Sequence, residues 1–465
     1  MSLECALERL RNGLLGTPYE GKVYLVGGYV RDKLLGRPLP SDVDLVLEGD
    51  ALELAQFLYE RGVADHPPVT YPRFGTAMVH VGGLMVELVT ARAESYRDTS
   101  RKPAQVQPAT LYEDALRRDF TVNTLLENLH TGEVIDPLGT GLRDLQAKLL
   151  RTPRDPHETF YEDPLRMLRA VRFAVQLGFT IDPAAEQAIR EQADRLKIVS
   201  VERIQTEFTR LMDSPQAAAG LQMLLEVGLL AQFAEPLMPM VGCTQNEYHL
   251  YDVWGHSLKT VEYVDPSGLT MPAWEVRLAA LLHDVGKPAT KTVDENGAIH
   301  FYEHDRVGAQ IAREWLRSMR YSNETIERIT TLVRMHMRPG AYTPQWSDAA
   351  VRRLIRDAGD LLEPLLRLVE ADIKAQRHDV VHADIAALRE RIAKVQAAQP
   401  PTRWRSPLTG EQLMQHFGLK PGPLVGQLKR YLEEQVIEGA LHPDDTEHAL
   451  RLAEAYLKQV RGQSS

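Results

Sequence analysis

The sequence predicts an α+β protein of several domains, in which a mixed β-sheet with helices is followed by all-helical domains. Three observations predict this class. The chain has 465 residues, which is more than one compact core usually holds. Short β-rich runs ("KVYLVGG", "VDLVLEG", "TAMVHVG", "LMVELVTA") alternate with helical stretches between residues 22 and 144. From about residue 145 onward, helical patterns dominate.

Composition shifts divide the predicted helical part. We expect "DPLRMLRAVRFAVQLGF" to be a helix that ends at Gly178, and "VERIQTEFTRLM" to be a helix that begins after Ser200. Histidines crowd into the next block, and the linker "AQPPTRWRSP" follows it. We therefore predict four domains: a head at 1–145, a helical neck at 146–236, a histidine-rich domain at 237–397 and a helical tail at 398–465.

Charge and composition exclude several classes of protein. The formal net charge of −10 argues against a nonspecific nucleic-acid coat, although Arg166, Arg169 and Arg172 recur at every third position and could meet phosphates locally. Two distant cysteines argue against a disulfide framework. No apolar run is long enough to span a membrane, and the charged N-terminus has no signal-peptide core. We expect a cytoplasmic protein that does not enter membranes.

Two carboxylates stand in the second β-rich run. On a strand, Asp42 and Asp44 would point to the same side, roughly 7 Å apart, where they repel unless a cation lies between them. Such a pair suits Mg²⁺, and paired ions can activate a hydroxyl and neutralise a leaving pyrophosphate. Glu87, in a later strand, is the candidate third acid. Taken alone, the pair would more often be solvated aspartates on an edge strand.

A glycine turn precedes these acids. Gly27 and Gly28 lie ahead of the predicted helix "YVRDKLLG", so their backbone N–H groups can approach a triphosphate while Arg31 supplies positive charge.

Five ordered motifs carry a family resemblance. "GGYVRD" with "SDVDLV", then "RRDFTVN", "DPLGTGLRDL", "EDPLRMLRAVRFA" and "SVERIQTEF" resemble the signatures of class II tRNA nucleotidyltransferases and bacterial poly(A) polymerases. These families belong to the polymerase β-like nucleotidyltransferase superfamily. The resemblance extends into the tail at "LTGEQLMQHFGLKPGPLVG". It implies a polymerase β-like head, Mg²⁺ at Asp42 and Asp44, and a neck and tail that hold the tRNA acceptor arm.

The resemblance also implies how the incoming nucleotide is recognised. The "EDxxR" element reads the base, and on a helix Asp163 and Arg166 would share a face. A carboxylate accepts from the exocyclic amine of cytosine or adenine, whereas guanine and uracil present a carbonyl there. By the same resemblance, the other nucleotide-binding candidates are Arg117, Arg118, Asp119 and Asn123. The recurrence of arginine at every third position adds Arg169 and Arg172 to the candidates.

The segment from residue 91 to 116 resembles the flexible loop of the family. In the CCA-adding members that this segment resembles, a cluster of basic residues is followed by an aspartate. Here Arg97, Arg101 and Lys102 form the basic cluster, but no acid follows them directly. This departure leaves three products open: all of CCA, CC alone, or the terminal A alone.

The histidine-rich block resembles the HD-domain metal phosphohydrolases. Its adjacent His–Asp pair lies in "LLHDVGKP", and imidazoles with carboxylates suit Mn²⁺, Ni²⁺ or Co²⁺. A metal-bound hydroxide can attack a phosphoester, which makes 2′,3′-cyclic phosphates and phosphomonoesters at RNA ends the expected substrates; a purely structural remnant is the alternative. The predicted metal ligands are His256, His283, Asp284, His304, His336 and Asp372.

These patterns together predict a Mg²⁺-dependent enzyme that adds C or A, or both, from CTP and ATP to tRNA 3′ ends. Three alternatives remain: a poly(A) polymerase with the same head, an RNA-binding or nucleotide-sensing protein with an inert centre, and an RNA-end phosphohydrolase whose head only binds RNA or nucleotide. The absence of a long basic extension argues against the first, and the retained acids argue against the second.

Overall fold

The computed structural model describes residues 3–40, 42–97, 100–246, 250–377, 381–398, 400 and 404–462. The chain forms two compact units, Met1–Glu235 and Pro236–Ser465. The predicted class, a mixed-sheet head followed by helical domains, is confirmed. The finer division into four domains stays a prediction. Within the described ranges, no helix combines the length and the apolar character required to cross a membrane.

A seven-stranded mixed sheet forms the centre of the head, in the order β3-β4-β5-β2-β1-β8-β9. Strand β2 is central: it pairs in parallel with β5 and antiparallel with β1. Its apolar residues, from Leu45 to Leu47, are almost fully buried, as expected for a strand covered on both faces. The strands of the sheet are β1 Val23–Val26, β2 Val43–Leu47, β3 Val69–Tyr71, β4 Thr76–Val81, β5 Leu84–Thr90, β8 Leu126–Asn128 and β9 Val134–Ile135.

Five helices accompany this sheet. Helix α3 begins after Asp50, whose carboxylate accepts hydrogen bonds from the backbone N–H groups of Leu52 and Glu53 and so caps the helix. The helices of the head are α1 Leu3–Leu14, α2 Gly28–Leu34, α3 Ala51–Glu60, α4 Leu111–Leu116 and α5 Gly141–Gln146.

The segment predicted to be a flexible loop contains a β-hairpin. Strands β6 Arg92–Arg97 and β7 Ser100–Pro108 pair antiparallel, with an irregular register between Ser95 and Arg97. The loop prediction is therefore wrong for the backbone, because backbone pairing outweighs the polar, proline-containing composition. The side chains of Arg97, Arg101 and Lys102 lie outside the described part of the structure.

The neck is helical, with one short parallel strand pair. Helix α7 ends at Gly178, which adopts φ +69°, and α9 begins after Ser200, as predicted. The neck is not all-helical, because β10 Leu149–Leu150 pairs with β11 Thr180–Ile181. Its helices are α6 Pro156–Glu162, α7 Leu165–Leu177, α8 Pro183–Gln192, α9 Val201–Met212 and α10 Ala217–Glu226.

The second unit consists mostly of helices. It also contains one antiparallel hairpin, β12 Lys291–Val293 with β13 Ile299–Phe301, which the all-helical prediction missed. The helices of this unit are α11 Val253–Tyr263, α12 Ala273–Leu282, α13 Lys287–Thr290, α14 His304–Ser318, α15 Asn323–Met335, α16 Met337–Gly340, α17 Asp348–Ala358, α18 Leu362–Lys374, α19 Ile385–Ala398, α20 Gly410–Phe417, α21 Pro423–Glu438 and α22 Thr446–Gly462.

Candidate active site of the head and candidate metal centre of the second unit

The register of the central strands brings acidic residues together in the head. Strand β2 begins at Val43, so Asp42 lies just ahead of it and Asp44 is its second residue. Asp44 is the register partner of Glu87 on the parallel strand β5. Asp42 is exposed, whereas Asp44 and Glu87 are half-buried. The structure thus places the third predicted acid directly beside Asp44.

These carboxylates repel one another in a partly dehydrated environment. Burial raises the pKa of Asp44, and Asp42 raises it further, while Arg118 and Arg169 oppose the rise. Burial also raises the pKa of Glu87, with Asp44 adding to the effect. Because a divalent cation with oxygen ligands would relieve this repulsion, the donor set fits Mg²⁺.

Gly27 lies against the Asp44 carboxylate. It adopts φ +75° immediately before α2, a conformation that favours glycine. A Cβ placed there would lie 3.8 Å from Asp44 Oδ2 and 3.9 Å from Arg118 Nη1. At Gly28 a Cβ would lie 3.6 Å from Arg31 Nη2. The turn therefore brings bare backbone next to the acidic cluster, where a phosphate group could approach.

Asp114, a buried acid that the sequence motifs do not include, binds both Arg117 and Arg118. Asp114 is only 2% exposed; its Oδ1 accepts from Arg117 Nη2 at 2.6 Å, and its Oδ2 accepts from Arg118 Nη2 at 2.9 Å. The arginines outweigh the effect of burial and hold the pKa of Asp114 below its usual value. The sequence does contain a signal for these contacts, because Asp114 precedes Arg117 by three residues and Arg118 by four, and such spacings bring side chains together on a helix.

A chain of polar contacts continues from the head into the neck. Arg31 donates to the Asn123 side chain, and Asn123 donates to Asp119. Arg169 of α7 donates to Asp119 Oδ2 from two nitrogens, at 2.8 and 2.6 Å. These contacts hold the pKa of Asp119 far below its usual value despite burial. The candidates at these four positions are thus brought into one connected group.

This series of polar contacts ends at a second buried acid that the sequence motifs did not predict. Glu207 of α9 is 5% exposed and accepts from Arg172 Nε at 2.6 Å. Arg31, Arg169 and Arg172 also surround the Phe173 ring, with guanidinium carbons 4.0 to 5.2 Å from its centre. The arginine series on α7 is therefore largely buried and paired with acids, and its contact with nucleotide phosphates stays a prediction.

The predicted base-reading pair is arranged differently from the prediction. Asp163 does not lie on the helix: it adopts φ −139° and ψ 96°, and α7 begins at Leu165. Pro164 is the physical reason, since a residue before proline is driven out of the helical region. Arg166 does lie on α7, where it donates to the carbonyl oxygens of Thr159 at 3.1 Å and Arg117 at 2.6 Å. Asp163 instead forms a two-bond ion pair with Arg203 of α9.

All six predicted ligands of the second unit lie in one cluster, and of the six only Asp372 is partly exposed. They form two groups, each with ligand atoms within 4.8 Å of one another. His256 Nε2 lies 2.9 Å from Asp372 Oδ1 and 3.3 Å from His283 Nε2. The first group is His256, His283 and Asp372, and the second is Asp284, His304 and His336.

Backbone carbonyl groups orient three of the imidazoles. The Nδ1 atoms of His283, His304 and His336 lie 2.7, 2.8 and 2.5 Å from carbonyl oxygens three residues earlier in the chain. Each Nε2 therefore faces the centre of the cluster, in the arrangement typical of histidine metal ligands. Four imidazoles and two carboxylates in this orientation fit one or two divalent transition-metal ions.

Two residues beside the His–Asp pair support the cluster and were not predicted. Lys287 is 6% exposed, and its Nζ lies 2.7 Å from Asp284 Oδ2 and 2.6 Å from Gln245 Oε1. At Gly286 an added Cβ would lie 2.2 Å from the His304 carbonyl oxygen and 2.6 Å from the Gly308 nitrogen. Only glycine permits this approach of α14, which begins at His304.

Comparison with known families gives three matches in chain order. Residues 23–151 match the model described as the poly A polymerase head domain. Residues 178–240 match the probable RNA and SrmB-binding site of polymerase A, and residues 253–387 match the HD domain. The fold and these matches define a protein that combines a polymerase-type head domain with an HD domain.

Several relatives match most of the chain. It is 34% identical over 436 residues to the CC-adding tRNA nucleotidyltransferase of Thermus thermophilus, with 92% of each chain covered. It is 35% identical over 349 residues to the A-adding enzyme of Deinococcus radiodurans, covering 70% of this chain and 75% of that one. It is 32% identical over 437 residues to the CCA-adding enzyme of Lacticaseibacillus paracasei, covering 93% and 92%. The chain belongs to the tRNA nucleotidyltransferase family.

The fold is shared with a solved structure of the family. The CCA-adding enzyme of Bacillus stearothermophilus, in complex with CTP, superposes with a TM-score of 0.70 at 24% identity, covering 99% of this chain and 100% of that one. A tRNA nucleotidyltransferase complexed with a primer tRNA and an incoming ATP analog gives a TM-score of 0.56, also at 24% identity, covering 82% and 97%.

Replacement of Asp114 tests its role in the head. We expect Asp114→Asn to lower the free energy of unfolding of the first unit by about 3 kcal/mol, because two guanidinium groups lose a buried counter-charge. Urea unfolding followed by circular dichroism measures the change. Tryptophan fluorescence reports on the second unit alone, since all five tryptophans lie between residues 254 and 404.

Asp65→Asn is the control, because Asp65 forms a partly exposed pair with Arg9 worth under about 1 kcal/mol. Equal losses in the two variants would contradict the assignment.

Replacement of Gly286 tests the close approach in the second unit. We expect Gly286→Ala to displace the start of α14 with His304 and to weaken Mn²⁺ or Ni²⁺ binding by at least about tenfold, as measured by calorimetry and by metal content per chain. Gly426→Ala is the control, because Gly426 lies on α21 with no atom within 4 Å of an added Cβ. Unchanged metal binding in the Gly286 variant would show that this contact does not position His304.

Proposed function

We propose that this chain adds C or A, or both, to the 3′ end of tRNA, using CTP and ATP as substrates and releasing pyrophosphate. The observation that carries the proposal is the Asp44–Glu87 register pair with Asp42 just ahead of it. Relatives with CC-, A- and CCA-adding names support the substrate class. Because all three occur among similar chains, the relatives leave the product open.

Asp42 and Asp44 are the proposed Mg²⁺ ligands of the head, and Glu87 is the third acid beside them. The ions would supply electrostatic activation of the RNA 3′-hydroxyl and neutralisation of the leaving pyrophosphate. Asp42 and Asp44 would hold them, and Glu87 would add negative charge beside Asp44. In the transfer, the 3′-hydroxyl oxygen forms a bond to the α-phosphorus of the nucleotide while the bond to the pyrophosphate oxygen breaks.

Protein groups around these acids orient the nucleotide. Gly27 leaves backbone accessible beside Asp44, and Arg118, close to the same point, supplies positive charge for the phosphates. The guanidinium groups of Arg117 and Arg118 are held in place by ion pairs with the Asp114 carboxylate. In the proposal, Asp163 accepts from the exocyclic amine of cytosine or adenine, and Arg166 donates to the ring acceptors of the same base.

A transcript assay determines the product. Purified protein with Mg²⁺ receives three forms of one tRNA, ending before CCA, after C and after CC, with CTP and ATP supplied separately and together. Addition of only the missing residues to all three forms would identify a CCA-adding enzyme. A product that stops at CC, or a single A added only to the CC-ended form, would identify a partial enzyme. Long A tails would replace the proposal with a poly(A) polymerase.

Replacement of Asp44 tests the proposed chemistry. We expect Asp44→Asn to reduce nucleotide incorporation by about a thousandfold, since it removes a proposed ligand of the catalytic ions. Asp50→Asn is the matched control: Asp50 follows the same strand and caps α3, and asparagine caps helices equally well. Incorporation that survives in the Asp44 variant would exclude this centre as the site of transfer.

We also propose a phosphohydrolase activity in the HD domain, because its ligands form two adjacent three-member groups. The substrate class is the 2′,3′-cyclic phosphate or the phosphomonoester at an RNA end. Hydrolysis of a cyclic phosphate adds water across one P–O bond and leaves a monoester, and removal of a 3′-phosphate would free the hydroxyl that the head extends. Mn²⁺, Ni²⁺ or Co²⁺ suits the donor set.

Hydrolysis of 2′,3′-cyclic nucleotides with Ni²⁺ or Mn²⁺ tests this second activity. We expect the double replacement of His283 and Asp284 by Ala to abolish hydrolysis, because each three-member group loses a ligand, while nucleotide incorporation by the head persists. His442→Ala is the control, since His442 is an exposed histidine of the tail. Absence of hydrolysis by the unaltered protein, even at high enzyme concentration, would leave the cluster as a structural metal site.

A further inference from the structure

Arg203 is a basic residue of α9 that none of the assigned roles uses. Its Nη1 donates to Asp163 Oδ1 at 3.2 Å, and its Nη2 donates to Asp163 Oδ2 at 2.7 Å. The Arg203 side chain is 36% exposed, and that of Asp163 is 19% exposed. A planar guanidinium that bonds both carboxylate oxygens fixes the plane of the carboxylate as well as its position.

The remaining hydrogen-bonding capacity of Asp163 is small. A carboxylate offers about four acceptor positions. The backbone N–H of Leu165 occupies a second position on Oδ1, at 3.3 Å. Among the residues that the structure describes, the donors to Asp163 are therefore this N–H group and the two Arg203 nitrogens. One acceptor position is left, on Oδ2.

The remaining acceptor position on Asp163 matches the exocyclic amine that cytosine and adenine have in common. Cytosine and adenine each present an exocyclic amine, which donates a hydrogen bond, whereas uracil and guanine present a carbonyl oxygen at that place. A carboxylate that is free to rotate could turn away from such a carbonyl. Because Arg203 prevents this rotation, uracil and guanine would meet an unpaired, desolvated acceptor.

We propose that Arg203 is a positioning residue for base selection, which fixes the Asp163 carboxylate so that its single remaining acceptor position receives the exocyclic amine of cytosine or adenine. The inference rests on the proposed function, in which Asp163 reads the base. It adds a residue on a second helix, α9, to the recognition of a nucleoside triphosphate by residues near the start of α7.

Nucleotide competition in the full-length protein tests the role of Arg203. The readout is the ratio of kcat/KM for UTP to that for CTP on the tRNA ending before CCA, and for GTP to that for ATP on the CC-ended tRNA. We expect Arg203→Met to raise these ratios by about tenfold, because the wrong base no longer meets a fixed acceptor. Arg203→Lys, which keeps the charge but loses the planar fork, should raise them by a smaller factor.

Two further variants make the result specific. Arg190→Met is the matched control, since Arg190 is another neck arginine, paired with Glu186 on α8; its ratios should equal those of the unaltered protein. Arg203→Gln supplies a smaller neutral replacement if the Met variant does not fold. Equal losses for all four nucleotides, with unchanged ratios in the folded Arg203 variants, would overturn the inference.

Asp163→Ala separates failure of the inference from failure of the proposed function. If this variant loses base discrimination while the Arg203 variants retain it, base reading by Asp163 stands and the role of Arg203 is refuted. If the Asp163 variant discriminates normally, base reading at this position is refuted together with the inference. Calorimetric binding of CTP and UTP gives the same comparison independently of the transfer step.

Discussion

The parallel pairing of β2 with β5 is the constraint on which the candidate active site depends. Side chains at paired positions of neighbouring strands lie on the same face of the sheet, so this register alone decides that Glu87, and not another residue of β5, accompanies Asp44. A slip of one residue would turn Glu87 to the opposite face. The buried residues Leu45 and Leu88, which also form a register pair, resist such a slip because it would expose apolar side chains.

The arginines around this site obtain their positions from buried acids. Asp114, Asp119 and Glu207 each bind between one and three guanidinium groups, and each is at most 8% exposed. An arginine held this way loses little side-chain freedom when a phosphate or base approaches, because its rotamer is already fixed. The cost is that these acids are tied to their partners: removal of one would leave buried positive charges uncompensated.

Much of this site follows from the sequence, and the exceptions have identifiable causes. The paired acids, the glycine turn and the histidine cluster can be predicted because each occurs in order with further motifs, although the acid pair alone would more often be solvated aspartates on an edge strand. The three-residue spacing from Asp163 to Arg166 predicts a shared helix face, but Pro164 keeps the residue before it out of the helical conformation. Glu207 and Arg203 contact residues that lie 35 and 40 residues earlier in the chain. No local spacing predicts such contacts, so they become visible only in the folded structure.

His283 and Asp284 are adjacent in the chain but belong to different three-member groups of the HD domain. One peptide unit therefore joins the two candidate ion positions. Any movement of this peptide displaces a candidate ligand of each group at the same time, so a change in the backbone at this one point would be felt by both groups.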